Sequence, residues 1–237
     1  MRKLASVLTN EGRHSEAIAA YQHALETQKR IPGTGKFMEA ELSMGIARSY
    51  VEANRPTEAL DAISRACALY TELFGPDYPM IGEAQLQVGF ILRQLDRGDE
   101  SVAAMKKALA AREATHGAEH PSVVEALVYL GDTLSWRGRP ADGIAFLERA
   151  ITVGEKIKTP YPDVVAALCD LGWARYKLGQ FDEARRAFER AIAHPMAGDL
   201  ASEVKLAKDA QSALAAADRA AHKAELTRAL AAHESSR

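Results

Sequence analysis

The chain is poor in several features that usually announce a function. It has two cysteines in 237 residues, Cys67 and Cys169, only 6% aromatic residues, and a net charge of −2 from 30 basic and 32 acidic side chains. No apolar run approaches the roughly 18 or more residues a membrane helix needs, and no charged-then-apolar leader opens the chain, so neither membrane insertion nor secretion is expected. Acids and bases are mixed throughout, without the basic stripe that nucleic-acid binding usually requires. The cysteines occupy non-equivalent places and read as reduced packing residues of a cytoplasmic protein rather than a disulfide. Strand-like alternation is missing too, which leaves an all-α chain whose 47% apolar residues can build a large core.

Motifs for chemistry are equally scarce. His116, Glu119 and His120 superficially suggest a metal site, but they precede Pro121 in a connector, where no helix face would align the histidines. Gly33-Thr34-Gly35-Lys36 resembles the end of a phosphate-binding loop. It has Arg30 in place of the leading glycine and Phe37 in place of the Ser/Thr, and no strand precedes it. No serine–histidine combination forms a recognisable triad, so the expectation is a non-enzyme without cofactor or metal.

What the chain does have is a long repeat. Ala17, Ala59, Ser101, Gly143 and Ala184 follow one another at 42, 42, 42 and 41 residues, and Ala24, Ala66, Ala108, Ala150 and Ala191 keep the same register. Between them stands a bulky series, Tyr21, Ile63, Met105, Leu147 and Phe188. Upstream, Ala5, Ala47, Gly89, Gly131 and Gly172 are small where one helix must approach its partner closely. A larger side chain there would overpack the contact by about 1–3 kcal/mol. The period predicts stacked helical hairpins, each needing a neighbour to bury its apolar face.

The punctuation repeats as well. Gly12-Arg13-His14, Asn54-Arg55-Pro56, Asp96-Arg97-Gly98, Gly138-Arg139-Pro140 and Gly179-Gln180-Phe181 read as tight turns within hairpins, and Pro79, Pro121 and Pro162 as the first residues of new hairpins. Five hairpins result, over about 1–30, 36–74, 79–116, 121–157 and 162–194, within a repeat domain of residues 1–195. Residues 196–237 form an extension in which Leu200, Val204, Ala207, Leu214, Ala217 and Ala221 fall at helical spacing. One long helix or two are expected there, capping the array. The first helix looks clipped at Met1, as if the chain were the C-terminal part of a longer protein.

The fifth repeat carries a family resemblance in Leu171-Gly172, Tyr176 to Ala184, Phe188 and Ala191-Ile192. This run resembles the tetratricopeptide repeat, and the 42-residue period with its Gly-x-x-His/Tyr-Pro connector is similar to the kinesin-light-chain subtype. The resemblance implies a right-handed superhelical solenoid of antiparallel helix pairs whose first helices line a concave groove. Carried onto this chain, the groove residues are Arg48 and Glu52; Gln87, Phe90, Arg93 and Gln94; Tyr129, Asp132 and Trp136; and Asp170, Trp173, Tyr176 and Lys177. Flanking contributions come from Lys3, Ser6, Asn10, Glu41, Val51, Glu83, Glu125 and Ser135. Both tryptophans are on this surface, and aromatic residues with Arg are the types that anchor protein partners. The family's paired asparagines, which hold a peptide by its backbone, are replaced by Met44-Gly45, Leu86-Gln87, Val128-Tyr129 and Cys169-Asp170, leaving Gln87 alone as an amide clamp.

Three functions follow as expectations. The first is a scaffold binding a protein or peptide segment in the groove, with no nucleic-acid or membrane partner. The second is the regulatory array of a larger bacterial signalling protein, such as a serine/threonine kinase or an ATPase-type regulator. The third is a homo-oligomer formed through the terminal repeats or the C-terminal helix, with the groove filled in cis by the chain beyond Pro195.

Overall fold

The computed structural model describes residues 2–30, 35–76, 78–157, 161–215 and 219–235. Among them are twelve helices and no strand. Gly33 and Thr34 of the glycine-rich segment lie outside the described residues; Gly35 and Lys36 simply begin a helix. The chain divides into two compact units, Met1–Thr115 and His116–Arg237.

The first unit holds α1 (Arg2–Asn10), α2 (His14–Lys29), α3 (Gly35–Glu52), α4 (Pro56–Phe74), α5 (Pro79–Gln94) and α6 (Gly98–His116, whose last residue falls in the second unit). The second holds α7 (Pro121–Trp136), α8 (Pro140–Gly154), α9 (Pro162–Lys177), α10 (Phe181–Ala193), α11 (Ala201–Ala215) and α12 (Arg219–Ser235).

Each hairpin turn uses one device. Gly12, Asn54, Asp96, Gly138 and Gly179 take φ between 55° and 78°, the left-handed conformation that ends a helix. The next residue donates its N–H back across the turn, as Arg13 does to Leu8, Arg55 to Tyr50, Arg97 to Leu92, Arg139 to Leu134 and Gln180 to Arg175, at 2.9–3.0 Å. The left-handed residue donates to the carbonyl three before it, completing a Schellman motif that satisfies two otherwise orphaned carbonyls. In the first four turns the arginine then pairs with an acid three residues on, Glu16, Glu58, Glu100 or Asp142. Those bonds hold the carboxyls of Glu16, Glu58 and Glu100 below the usual range.

Packing follows the expected registers. Ile63, Met105, Leu147 and Phe188 are fully buried, as are Ala59, Ser101 and Ala184 one turn before Ile63, Met105 and Phe188 on the same helices. A methyl group added to Gly131 would stand 2.5 Å from Leu147 Cγ, and one on Gly172 would stand 2.4 Å from the Phe188 ring. Gly143 faces backbone rather than a side chain, since its added carbon would meet the Gly131 carbonyl oxygen at 2.6 Å. The bulky side chain of the second helix thus sits on bare backbone of the first, and α7 and α8 approach more closely than an alanine pair allows.

The connectors are structural. Tyr78 caps α5 and stacks on Phe74 at 4.3 Å, while His120 caps α7 by accepting the Ser122 N–H at 3.2 Å and stacks on His116 at 4.4 Å. Glu119 pairs with Lys156 at 2.7 Å. The C-terminal extension is two helices. Val204, Ala207 and Ala210 of α11 are buried where α11 packs on α9 and α10, so α11 caps the fifth hairpin. Leu214, Ala217 and Ala221 of the expected stripe lie outside the residues whose side chains are described.

Candidate partner-binding surface

In the first unit the predicted groove residues remain largely accessible. Arg48, Glu52 and Gln94 are exposed, and Gln87, Phe90 and Arg93 are half-buried. Arg48 reaches Asn10 Oδ1 at 3.5 Å, and Gln87 donates to Glu83 at 3.2 Å. Two flanking acids do structural work: Glu83 pairs with the buried Arg112 at 3.0 Å, and Glu41 accepts the Tyr70 hydroxyl at 2.5 Å. Burial, with the Glu41 carboxylate second, pushes the Tyr70 phenol well above its ordinary range. A groove of about 580 Å³ between α2, α3 and α4 is lined by Gln22, Leu25, Ile46, Tyr50 and Arg65 among others, and none of the predicted partner residues belongs to it.

The second unit brings its predicted residues together. Asp132, Ser135 and Trp136 on α7 and Asp170, Trp173 and Lys177 on α9 line one small cavity of about 10 Å³. Each set falls within two turns of its helix, so neighbouring first helices present the two sets side by side. Tyr129 is half-buried one turn earlier on α7, and Tyr176 lies against Phe181 with ring centroids 5.5 Å apart. Burial raises the Tyr176 phenol above its usual value.

The two tryptophans differ in placement. Trp136 is half-buried, whereas Trp173 is 2% exposed, edge-on to Phe188 at 5.1 Å and to Tyr176 at 6.0 Å. The other face of Trp173 is covered by α12, where His233 stacks on the indole at 5.6 Å and 26°. The same imidazole places Nε2 3.3 Å from Asp170 Oδ1, with both side chains at most 5% exposed. One residue on, Glu234 pairs with Lys177 at 2.6 Å, and Lys177 also donates to the Ser135 carbonyl at 3.3 Å. Leu230 closes the cavity from above.

The C-terminal helix therefore lies over the predicted groove residues of the fourth and fifth hairpins. The sequence reading named the residues beneath and allowed the chain beyond Pro195 to fill the groove in cis, but it did not name the residues that do so, Leu230, His233 and Glu234. The signal was present: Leu226, Leu230, His233 and Glu234 fall at i, i+4, i+7 and i+8, one face of a helix. Leu226 and His233 are buried on it.

Turns, glycine contacts and groove together define a scaffold of helical hairpins. The tetratricopeptide repeat family model matches residues 1–79, 80–135 and 122–194, and the chain belongs to that family. No curated protein matches it. Among solved structures, apo RapI superposes with a TM-score of 0.81 at 14% identity, over 98% of this chain and 82% of that one. A Rap protein complexed with Competence and Sporulation Factor gives 0.69 at 16%, over 99% and 62%. A Podosopora anserina chain described as a kinesin light chain with nearly identical TPR-like repeats gives 0.71 at 19%, over 81% and 92%. At these identities the likeness is one of fold. No helix among the described residues is long and apolar enough to cross a membrane.

Proposed function

We propose that the protein is a non-catalytic interaction module whose second unit receives a helical segment of a partner protein on the α7–α9 surface, where α12 lies in the free chain. The repeat fold supports a protein-interaction scaffold in general terms. The observation that carries the finer reading is the seat of α12. A helix already fits this surface, with an imidazole on Trp173 and Asp170 and a carboxylate on Lys177. A partner segment with an apolar residue, a ring and an acid at the same spacing would satisfy the same groups. The neighbour solved with Competence and Sporulation Factor adds support, since a similar fold there holds a ligand.

Competition in cis has a measurable consequence. A tethered helix acts at an effective concentration of order millimolar, so a partner must outbid α12 or bind a chain that lacks it. The test uses a labelled synthetic peptide of residues 219–237 and a chain ending at Ala215, read by fluorescence polarisation. The truncated chain should bind the peptide at micromolar concentrations, and the full chain at least about 10-fold more weakly. Equal binding to both, or to neither, would remove α12 as an occupant of a receptor surface.

A further inference from the structure

Three metal-ligating side chains from three helices converge beneath α12. Asp132 from α7, Asp170 from α9 and His233 from α12 are all buried, and one ligand atom of each lies within 4.8 Å of the others. They are far apart in sequence, and only the folding of the C-terminal helix onto the fourth and fifth hairpins assembles them.

We propose that these residues bind a divalent transition-metal ion of the zinc type. One pair already has the required spacing, since bonds of about 2.0–2.1 Å in a tetrahedron put neighbouring ligand atoms about 3.3–3.4 Å apart, and Asp132 lies within reach of both. His233 Nε2 and Asp170 Oδ1 are 3.3 Å apart. The space fits as well, because the cavity these three residues line, of about 10 Å³, is of the order of a single water or ion.

Charge gives an independent argument. Asp132 is 8% exposed and Asp170 is 2% exposed, and two ionised carboxylates so deeply buried favour a multiply charged cation between them. Lys177, the other cation of the lining, is engaged by the Glu234 carboxylate at 2.6 Å and the Ser135 carbonyl at 3.3 Å. A divalent ion would balance both aspartates and leave His233 neutral, as a nitrogen ligand must be. One imidazole with two carboxylates favours zinc-like ions over magnesium or calcium, which prefer all-oxygen sites.

The ion would join α7, α9 and α12, so it would fasten the C-terminal helix. The site is read from metal alone and stands whether or not the surface receives a partner. The His116–His120 stack at the far end of α7 supplies the internal control, because His120 is already committed to capping that helix.

The experiment is a titration of the chelator-stripped full chain with Zn²⁺ by calorimetry, repeated with Co²⁺ and its visible absorption. One ion per chain should bind with micromolar or tighter affinity, and Co²⁺ should show the intense bands of a tetrahedral site. Mg²⁺ should not compete. Excess Zn²⁺ should raise the melting temperature by about 5 °C or more. Asp132→Asn, Asp170→Asn and His233→Gln should each weaken binding about 100-fold or more, while the His116→Ala, His120→Ala double variant keeps it. The melting temperature of each metal-free variant separates lost ligands from lost fold, and Asp132→Asn, at the most exposed of the three, decides if the others unfold. Absence of stoichiometric uptake, or uptake that follows His116 and His120, would overturn the site.

Discussion

The first helices of the two units carry the same repeat register but are finished differently. In the first unit, Arg48, Glu52 and Gln94 stand exposed and Phe90 half-buried. In the second, the equivalent stretch of α9 is closed over, with Asp170 and Trp173 each 2% exposed beneath α12. Repeat geometry decides which positions turn toward the concave side. Whether a residue there is a surface or a core depends on chain that arrives some sixty residues later.

The comparison breaks most visibly at the aromatic positions. Trp173→Ala removes a ring packed on Phe188, Tyr176 and His233, and should cost about 3–5 kcal/mol in denaturant unfolding. Phe90→Ala, at a half-buried site in the first unit, should cost about 1–2 kcal/mol. Equal losses would mean that the two surfaces are buried alike, contrary to the placement of α12.

Next in size is the closeness of the helix pairs. Gly143→Ala sets a methyl against the Gly131 carbonyl oxygen at 2.6 Å, a backbone atom that cannot rotate away. It should destabilise by about 1–3 kcal/mol despite the better helix propensity of alanine. The second hairpin tolerates Ala47 and Ala59 at the equivalent places, both fully buried. A neutral Gly143→Ala would show that α7 and α8 can spread to the spacing of that pair.

A smaller difference is expected at the charged rim. Lys177→Ala loses a partly covered pair with Glu234 and should cost up to about 1 kcal/mol. Arg48→Ala, at an exposed position, should fall within about 0.5 kcal/mol of wild type. A double-mutant cycle of Lys177 with Glu234 isolates the first value.

Local signals made the fold legible. A left-handed Gly, Asn or Asp before each second helix, a proline opening α5, α7 and α9, and a small residue facing each bulky one are short-range facts that survive in sequence. Asp132, Trp136, Asp170 and Trp173 were named through the family resemblance, which places them on the groove side of the first helices, and the structure brings them to one cavity. The residues that cover them were not named. His233 meets Asp170 only through the packing of α11 on the fifth hairpin and of α12 on α11, a tertiary contact with no spacing rule. The buried Asp132–Asp170–His233 convergence was hidden for the same reason, while the one histidine pair that sequence did offer, His116 with His120, proved to be a capping stack.

The cysteines give the finest form of the contrast between the units. Cys67 on α4 is half-buried, and burial pushes its thiol up to about 11. At pH 8 only about one Cys67 in a thousand would be a thiolate, against roughly a quarter for a free cysteine, so alkylation should be slowed about 100-fold or more. Cys169 on α9 is fully buried, and its sulfur lies 3.8 Å from the Glu203 carbonyl of α11. Its labelling needs α11 to lift away, so it should report local opening of the cap rather than thiolate supply. Raising the pH from 8 to 9 should then speed labelling of Cys67 about tenfold and leave that of Cys169 limited by opening. If both rates rise together with pH, α11 opens fast on the labelling timescale and the cap is looser than its buried Val204, Ala207 and Ala210 imply.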